Sequence, residues 1–161
     1  MKKLLILTFA LTAIASCKPD DEITLEPAPT LLGHEGYTLV WNDEFNVSAI
    51  SSLNWTYELG DGTTYGLPKG WGNEELQSFT NLTENSFIET DADGTSALVI
   101  SAKDDGNVGY TSAKLTTQGL HTFLYGKLEA RIKLPADQGI WPAFWMLGAN
   151  KTEIDWPGCG E

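Results

Sequence analysis

The sequence predicts an all-β protein with the architecture of an antiparallel β-sandwich. Threonine, glycine, tryptophan and tyrosine are frequent and helix-forming residues do not dominate, which favours β structure. From Tyr37 onward, short apolar runs alternate with turns rich in glycine and aspartate, as is typical of a sandwich. The chain has no internal repeat and no convincing long helix. Its 161 residues, 42% hydrophobic and 11% aromatic, suffice for one domain with a core.

Turn signals divide this part of the chain into predicted strands. Gly60-Asp61-Gly62 and Gly70-Trp71-Gly72-Asn73 indicate loops, and Asp91-Ala92-Asp93-Gly94 indicates a tight turn. The last segment also begins like a calcium loop, but it lacks the remaining ligands of an EF-hand, so we interpret it as a turn. The predicted strands are Tyr37–Trp41, Phe87–Glu89, Ala97–Lys103, Tyr110–Thr117, Phe123–Leu134 and Trp141–Leu147.

The N-terminal residues have the pattern of an export signal. A short basic start precedes an apolar run, residues 4–15, that is too short to span a bilayer. The run ends in Ile14-Ala15-Ser16-Cys17, which resembles the lipobox of bacterial lipoproteins. We predict that residues 1–16 are a lipoprotein signal peptide and that Cys17 is lipidated and anchors the protein in a membrane. The alternative is an ordinary secreted protein that is cut near Ala15.

Residues 17–36 are predicted to form a flexible acidic linker after the lipidated cysteine. Three prolines and several acidic residues make the segment polar and extended. Its first acids resemble the surface-export tag of some Gram-negative lipoproteins, although a simple acidic linker would have the same composition. We expect a bacterial outer-membrane lipoprotein, exposed at the cell surface or facing the periplasm. A disulfide between Cys17 and Cys159 would suit an oxidising compartment, but the predicted lipidation of Cys17 argues against it.

The charge of the chain limits its partners. The formal net charge is −12 and the sequence pI is about 4.4. Because phosphates are bound by Lys and Arg, we expect no nucleic-acid partner. An acidic protein suits a neutral substrate, or the charge simply keeps the protein soluble. We expect a monomer.

Two segments, residues 139–148 and 155–161, carry the strongest functional signal. They hold three of the six tryptophans, and Trp141 and Trp156 each precede a proline. A carboxylate, Glu161, closes the second segment. Indoles beside a carboxylate suit a carbohydrate site, because sugar rings stack on aromatic faces and a carboxylate can attack an anomeric carbon. The alternative is a tryptophan-rich core.

The amino-acid sequence of these segments resembles that of glycoside hydrolase family 16, the laminarinase-type β-glucanases. Members carry G-x-W-P-A-F-W-M-L and then W-P-x-x-G-E-I-D-I-x-E, and both patterns occur here in order, the second as far as its first Glu. The likeness extends back to about Tyr37 through further blocks in the family's order. These blocks are Tyr37–Asn46, Gly70–Gln77, Leu98–Ala102, Tyr110–Lys114 and Tyr125–Arg131.

This resemblance implies a β-jelly roll with the substrate cleft across its concave sheet. Domains of the family are longer than this chain, so we expect residues 37–161 to be the N-terminal half of a catalytic domain, truncated at the catalytic strand. The jelly roll would then be incomplete in this chain, and strand edges and one face of the core would be exposed.

The resemblance also implies the chemistry. Retaining glycosidases use two carboxyl groups about 5–5.5 Å apart, and one strand can supply both from residues i and i+4. Carried over by position, Glu161 is the nucleophile; the Asp and the acid/base Glu that follow it in the family are absent from the chain. Glu153-Ile154-Asp155 is a competing E-x-D pair, but Trp156-Pro157 follows it and favours a loop.

Further site residues come from the same resemblance. Asn73 matches a residue that hydrogen-bonds sugar hydroxyls, or it is only a turn asparagine. Lys114 stands where the family usually has Arg, and it keeps the charge but loses the bidentate fork. Trp141 and Trp145 would share one face of a strand and line the cleft, with Phe144 and Met146 towards the core. Trp156 is predicted to be an exposed sugar platform.

The sequence therefore predicts an endo-acting, retaining β-1,3-glucanase that binds laminarin-like β-glucan. Alternatives are a family member for mixed-linkage glucan or galactan, and a non-catalytic β-glucan-binding surface lipoprotein. A protein of only these 161 residues would be an inactive fragment. Catalysis needs no cofactor, and the resemblance implies one structural calcium whose ligands stay unassigned.

Overall fold

The computed structural model describes residues 35–106 and 109–161. The chain divides into two units, Met1–Thr38 and Leu39–Glu161. The predicted signal peptide, Cys17 and nearly all of the predicted linker lie outside the described residues. Within the described residues, no helix has the length and apolar character needed to cross a membrane.

The second unit is all-β, as predicted. In its described residues, seven short strands are joined by turns and one 3-10 turn at Thr63–Tyr65. The strands are β1 (Thr56–Tyr57), β2 (Gln77–Phe79), β3 (Ser86–Thr90), β4 (Ser96–Ile100), β5 (Lys103–Asp104), β6 (Tyr110–Ser112) and β7 (Leu115–Thr116).

These strands form three small sheets that do not close around one another. Strand β1 pairs with β7, and β3 with β4, both antiparallel. The third sheet has the order β2-β6-β5, in which β5–β6 is antiparallel and β2–β6 is parallel. The sandwich is therefore incomplete, as expected, and one pair departs from the predicted antiparallel arrangement. We call residues 56–116 the paired region.

The β3–β4 hairpin forms where local sequence dictates it. Its register runs from Ser86↔Ile100 to Thr90↔Ser96. In the turn, the Thr95 N–H donates to the carboxylates of Asp91 and Asp93, both at 2.9 Å. The hydrogen bond with the Asp91 side chain, followed by those from Thr95, lowers the pKa of Asp93 to about 2. The tight-turn interpretation of this segment is confirmed.

Three predicted strands are absent from the structure. Residues 37–41, 123–134 and 141–147 are not paired in any ladder. A strand persists only where its backbone N–H and C=O groups find a neighbouring strand, and the described residues offer these segments none. The predicted strand Tyr110–Thr117 divides into β6 and β7, which belong to different sheets and meet at a corner, Ala113-Lys114.

The buried core of the described residues is small and partly polar. Trp71 and Ala113 are its buried apolar members. Asn85 is fully buried and makes three side-chain hydrogen bonds, from Thr80 Oγ1 at 2.6 Å, to the Ser101 carbonyl at 3.0 Å and to Thr111 Oγ1 at 3.1 Å. This asparagine, directly before β3, is bonded to residues beside β2 and β4 and to one within β6.

An aromatic cluster surrounds Trp41. Its ring lies 6.0 Å from that of Trp55, 5.3 Å from His121 and 6.0 Å from Phe123, measured between centroids. The Asp43 carboxylate accepts a hydrogen bond of 2.9 Å from the Trp55 indole. These contacts fix residues 41–55 against 121–123 without a strand ladder.

Candidate active site

The residues that lead into β2, Gly70–Leu76, form a loop that carries the candidate residue Asn73. Its backbone is left-handed at Gly70, Trp71, Gly72 and Glu74. Glycine is required at position 70, because a Cβ there would meet the backbone of Glu75 at 2.8 Å. Both the Asn73 and Glu75 N–H groups donate to the Gly70 carbonyl, which closes the loop tightly.

Asn73 is exposed in this loop and held by its neighbours. Its Nδ2 donates to Glu75 Oε1 at 3.0 Å, while Gln77 Nε2 donates to Glu75 Oε2 at 2.5 Å. The amide oxygen of Asn73 accepts no hydrogen bond within the described residues. The side chain is thus oriented with an acceptor available for a sugar hydroxyl.

Trp71, two residues before Asn73, is a core residue. It is 7% exposed, and its Nε1–H donates to the Gly60 carbonyl at 3.2 Å. Tyr65 and Phe79 pack on its ring with centroid distances of 5.2 and 5.4 Å. This indole is fixed on several sides and cannot be a sugar platform.

Lys114 joins the loop to the tryptophan-rich segment. Its ammonium lies 2.6 Å from the Glu58 carboxylate, 4.0 Å from the centroid of Trp71 and 5.3 Å from that of Trp145. Sequence reasoning singled out Lys114 and Trp145 but missed Glu58 and the packing role of Trp71. Only the pairing of β1 with β7, which is remote in sequence, brings Glu58 to Lys114.

The predicted alternation of residues 141–147 is wrong. Trp145 is 45% exposed, but Phe144 and Met146, expected in the core, are 55% and 49% exposed. The segment has no strand partner in the described part of the chain, so neither of its faces is covered. Trp141 is 74% exposed and makes no ring contact or hydrogen bond there with the other candidate residues.

A close backbone approach joins the two tryptophan-rich segments. The Gly148 N–H donates to the Gly160 carbonyl at 3.3 Å. Glycine is needed at position 148, because a Cβ would collide with the carbonyl of Cys159. The residues after Trp145 are thereby held against those before Glu161.

Trp156 and Glu161 meet directly. The indole Nε1–H donates to Glu161 Oε2 at 3.0 Å, and the Trp156 side chain is 59% exposed. Its backbone N–H donates to Asp155 Oδ1 at 2.8 Å, and the Trp156–Pro157 peptide bond is cis. The structure therefore contains a carboxylate oriented by an exposed indole, in a loop rather than in a strand.

The competing pair of carboxylates lies in a turn. The Glu153 and Ile154 N–H groups both donate to the Asn150 carbonyl at 2.8 Å. A turn does not project Glu153 and Asp155 from one strand face, as a shared catalytic position would require.

The structural calcium that the resemblance implies stays a prediction, with its ligands unassigned. Within residues 35–106 and 109–161, no three His, Cys, Asp or Glu side chains are grouped to hold a metal ion. The turn carboxylates of Asp91 and Asp93 are engaged by the Thr95 N–H.

Comparison with known proteins identifies the family to which this chain is similar. Residues 75–161, just over half of the chain, match the sequence model of the glycosyl hydrolases family 16. The solved laminarinase from Flavobacterium sp. UMI-01 superposes with a TM-score of 0.66 at 47% identity, covering 76% of this chain and 48% of that one.

Two curated proteins are similar over most of this chain. Glucan endo-1,3-beta-glucosidase A1 of Niallia circulans is 35% identical over 147 residues, which are 83% of this chain and 20% of that protein. The beta-1,3-glucan-binding protein of Penaeus monodon is 38% identical over 160 residues, 83% of this chain and 42% of that protein. The chain spans less than half the length of each of these three proteins.

Proposed function

The chain belongs to glycosyl hydrolase family 16, and on that premise we propose that the full-length protein carrying it is an endo-acting, retaining hydrolase of laminarin-like β-1,3-glucan. The observation that carries this proposal is the hydrogen bond from the exposed Trp156 indole to the Glu161 carboxylate. It combines an aromatic platform with a nucleophile in one site. The similar glucan endo-1,3-beta-glucosidase and laminarinase support the choice of polymer.

Glu161 acts as the nucleophile. Its carboxylate attacks the anomeric carbon, a second carboxyl group protonates the departing oxygen, and a glycosyl-enzyme forms. The second group then accepts a proton from water, which hydrolyses the intermediate with retention of configuration. We propose that this acid/base comes from the rest of the full-length protein, because the relatives are more than twice as long as the matched part.

Glucan binds through the polar and aromatic groups of the candidate site residues. Trp141, Trp145 and Trp156 offer indole faces for sugar rings, and Asn73 offers its amide oxygen. Lys114 donates one hydrogen bond to the Glu58 carboxylate, and its ammonium group has two further N–H donors for sugar hydroxyls. No cofactor takes part in the reaction.

The test is hydrolysis of laminarin by the full-length protein. Glu161→Gln is expected to abolish turnover while leaving oligosaccharide binding intact, and Glu153→Gln is the matched control that retains activity. Proton NMR of fresh products should show the β-anomer before mutarotation. An active Glu161→Gln variant, or faster hydrolysis of mixed-linkage glucan or agar than of laminarin, would contradict this assignment.

A second candidate function is non-catalytic glucan binding. Similarity to a beta-1,3-glucan-binding protein favours it. In that case the wild-type protein would bind laminarin without releasing reducing ends, and Glu161→Gln would change nothing.

We also propose that Cys17 is lipidated and anchors the protein in the bacterial outer membrane. The support is the lipobox-like Ile14-Ala15-Ser16-Cys17 after an apolar run. Cys17→Ser should leave the precursor unprocessed or release the protein from membranes. Mass spectrometry of the mature wild-type protein with an unmodified Cys17 would exclude the anchor.

A further inference from the structure

Glu58 and Lys114 face each other because their backbones continue a strand ladder. Beyond the last β1–β7 pair, Tyr57↔Leu115, the Glu58 N–H donates to the Lys114 carbonyl at 3.0 Å. The two side chains therefore leave neighbouring positions across the ladder, where opposite charges attract. Their charged atoms are 2.6 Å apart, and the side chains are only 15% and 23% exposed.

The Lys114 ammonium is at the same time close to two indoles of different exposure. Trp71, 4.0 Å away, is buried and hydrogen-bonded to Gly60. Trp145, 5.3 Å away, is half exposed and belongs to a segment without a strand partner in the described part of the chain. A cation over an indole face attracts it, so Lys114 links the half-exposed ring of Trp145 to the buried ring of Trp71.

On the basis of the proposed glucan hydrolysis, we infer that Glu58 is a positioning residue, which fixes the Lys114 ammonium between Trp71 and Trp145 and so holds the Trp145 ring in place for sugar. Lysine has a flexible four-carbon stem and would turn to solvent without a partner. The carboxylate of Glu58 removes that freedom, and it reaches the substrate only through Lys114.

The expected effect is on binding, not on chemistry. Glu58→Gln leaves Glu161 and Trp156 untouched, so kcat should stay within about twofold, while KM for laminarin oligosaccharides should rise about tenfold as uniform binding is lost. The conservative variant Lys114→Arg keeps both the charge and the ring contact, so it should retain most of the affinity of the wild type. The matched control is Glu129→Gln, which removes the exposed pair with Lys127 and should leave KM unchanged.

A double-mutant cycle separates positioning from a general structural role. If Glu58 acts only through Lys114, then Glu58→Gln has no further effect on KM in a Lys114→Met background. This double variant has no unpaired half-buried charge, so it tests the idea even where Glu58→Gln alone fails to fold. Additive effects on KM in the cycle, or a loss confined to kcat, would overturn the inference.

A measurement without sugar distinguishes this inference from the proposed function. The indole N–H resonance of Trp145 can be assigned in the full-length protein by its loss in Trp145→Phe. It should shift in Glu58→Gln and not in Glu129→Gln. If the resonance does not shift in Glu58→Gln, the positioning role is overturned even in an active enzyme. If the wild-type protein neither binds nor hydrolyses laminarin, the proposed function is overturned, and the resonance still tests the role of Glu58.

Discussion

Trp71 and Trp156 are the same residue type in opposite settings. Trp71 lies in the paired region, 7% exposed, with its N–H bonded to a backbone carbonyl. Trp156 lies in the segment 139–161, 59% exposed, with its N–H bonded to the candidate nucleophile. Tryptophan alone therefore does not indicate which role a position has. A packing role is distinguished from a binding role by the hydrogen-bond partner of the indole N–H and by the burial of the ring.

The strongest test of this difference is removal of the buried indole. Trp71→Ala takes away a large core side chain with contacts to Tyr65 and Phe79, and should lower the free energy of unfolding by about 3–5 kcal/mol. Urea denaturation of the full-length protein measures it. Trp141→Ala, at a 74% exposed ring, is the matched control and should stay within about 0.5 kcal/mol of wild type. Equal losses for both variants would abolish the distinction.

The second test concerns the junction of the two tryptophan-rich segments. Gly148→Ala puts a methyl group against the Cys159 carbonyl and must move residues 159–161. Displacing Glu161 from the reacting carbon should lower kcat by about 10²-fold, with a smaller effect on stability. Laminarin kinetics and thermal unfolding of the full-length protein measure the two effects. An unchanged kcat would mean that this junction does not hold the nucleophile.

A third test removes the exposed indole. Trp156→Ala should weaken oligosaccharide binding by about 1–3 kcal/mol, the scale of a lost aromatic stacking surface, while the fold survives. Calorimetric titration with laminarin oligosaccharides measures the affinity. A variant that unfolds, yet binds normally per folded molecule, would assign Trp156 to the core.

The smallest expected effect is a pH dependence in the paired region. The pKa of Asp93 is lowered from 3.8 to about 2, so its contribution is complete above the unfolded-state value and is lost as the pH falls through about 2. The stability advantage of wild type over Asp93→Asn should therefore shrink as the pH falls from 3.8 to about 2. Denaturation curves across that interval measure it, and a constant difference would contradict the hydrogen-bonded turn.

A protein of only these 161 residues offers a further comparison with the full-length protein. We expect it to aggregate and to hydrolyse laminarin at least about 10²-fold more slowly, because general acid help is worth that much and large apolar side chains are exposed. Size-exclusion chromatography and reducing-end release measure both effects. Equal turnover by the two proteins would contradict the two-carboxylate mechanism proposed for Glu161.

Whether a feature could be predicted from the sequence depends on the sequence separation of the residues that form it. The turn at Asp91–Gly94 was predictable because its hydrogen bonds stay within five residues. The strands expected at residues 123–134 and 141–147 were not formed, since a strand needs a neighbour that local alternation does not reveal. The all-β class survives this error because composition and turn spacing determine it.

The same dependence on sequence separation holds for the candidate site. Glu161 and the tryptophans were predicted because they belong to motifs that are contiguous in sequence. Glu58 was missed because nothing local marks it, and its role follows from the register of β1 with β7. Asn85 was missed for the same reason, since its partners Thr80, Ser101 and Thr111 come from separate strands and turns.

The hydrogen bond between Trp156 and Glu161 has a practical consequence for observing the protein. An indole that is exposed and bonded to a carboxylate emits light in an environment that a stacked sugar would change, whereas the emission of buried Trp71 would stay constant. Iodide or acrylamide should quench the former before the latter. Together with the exposed Trp141 and Trp145, Trp156 would therefore give an intrinsic fluorescence signal for sugar binding at the proposed site, and glucan titrations would need no label.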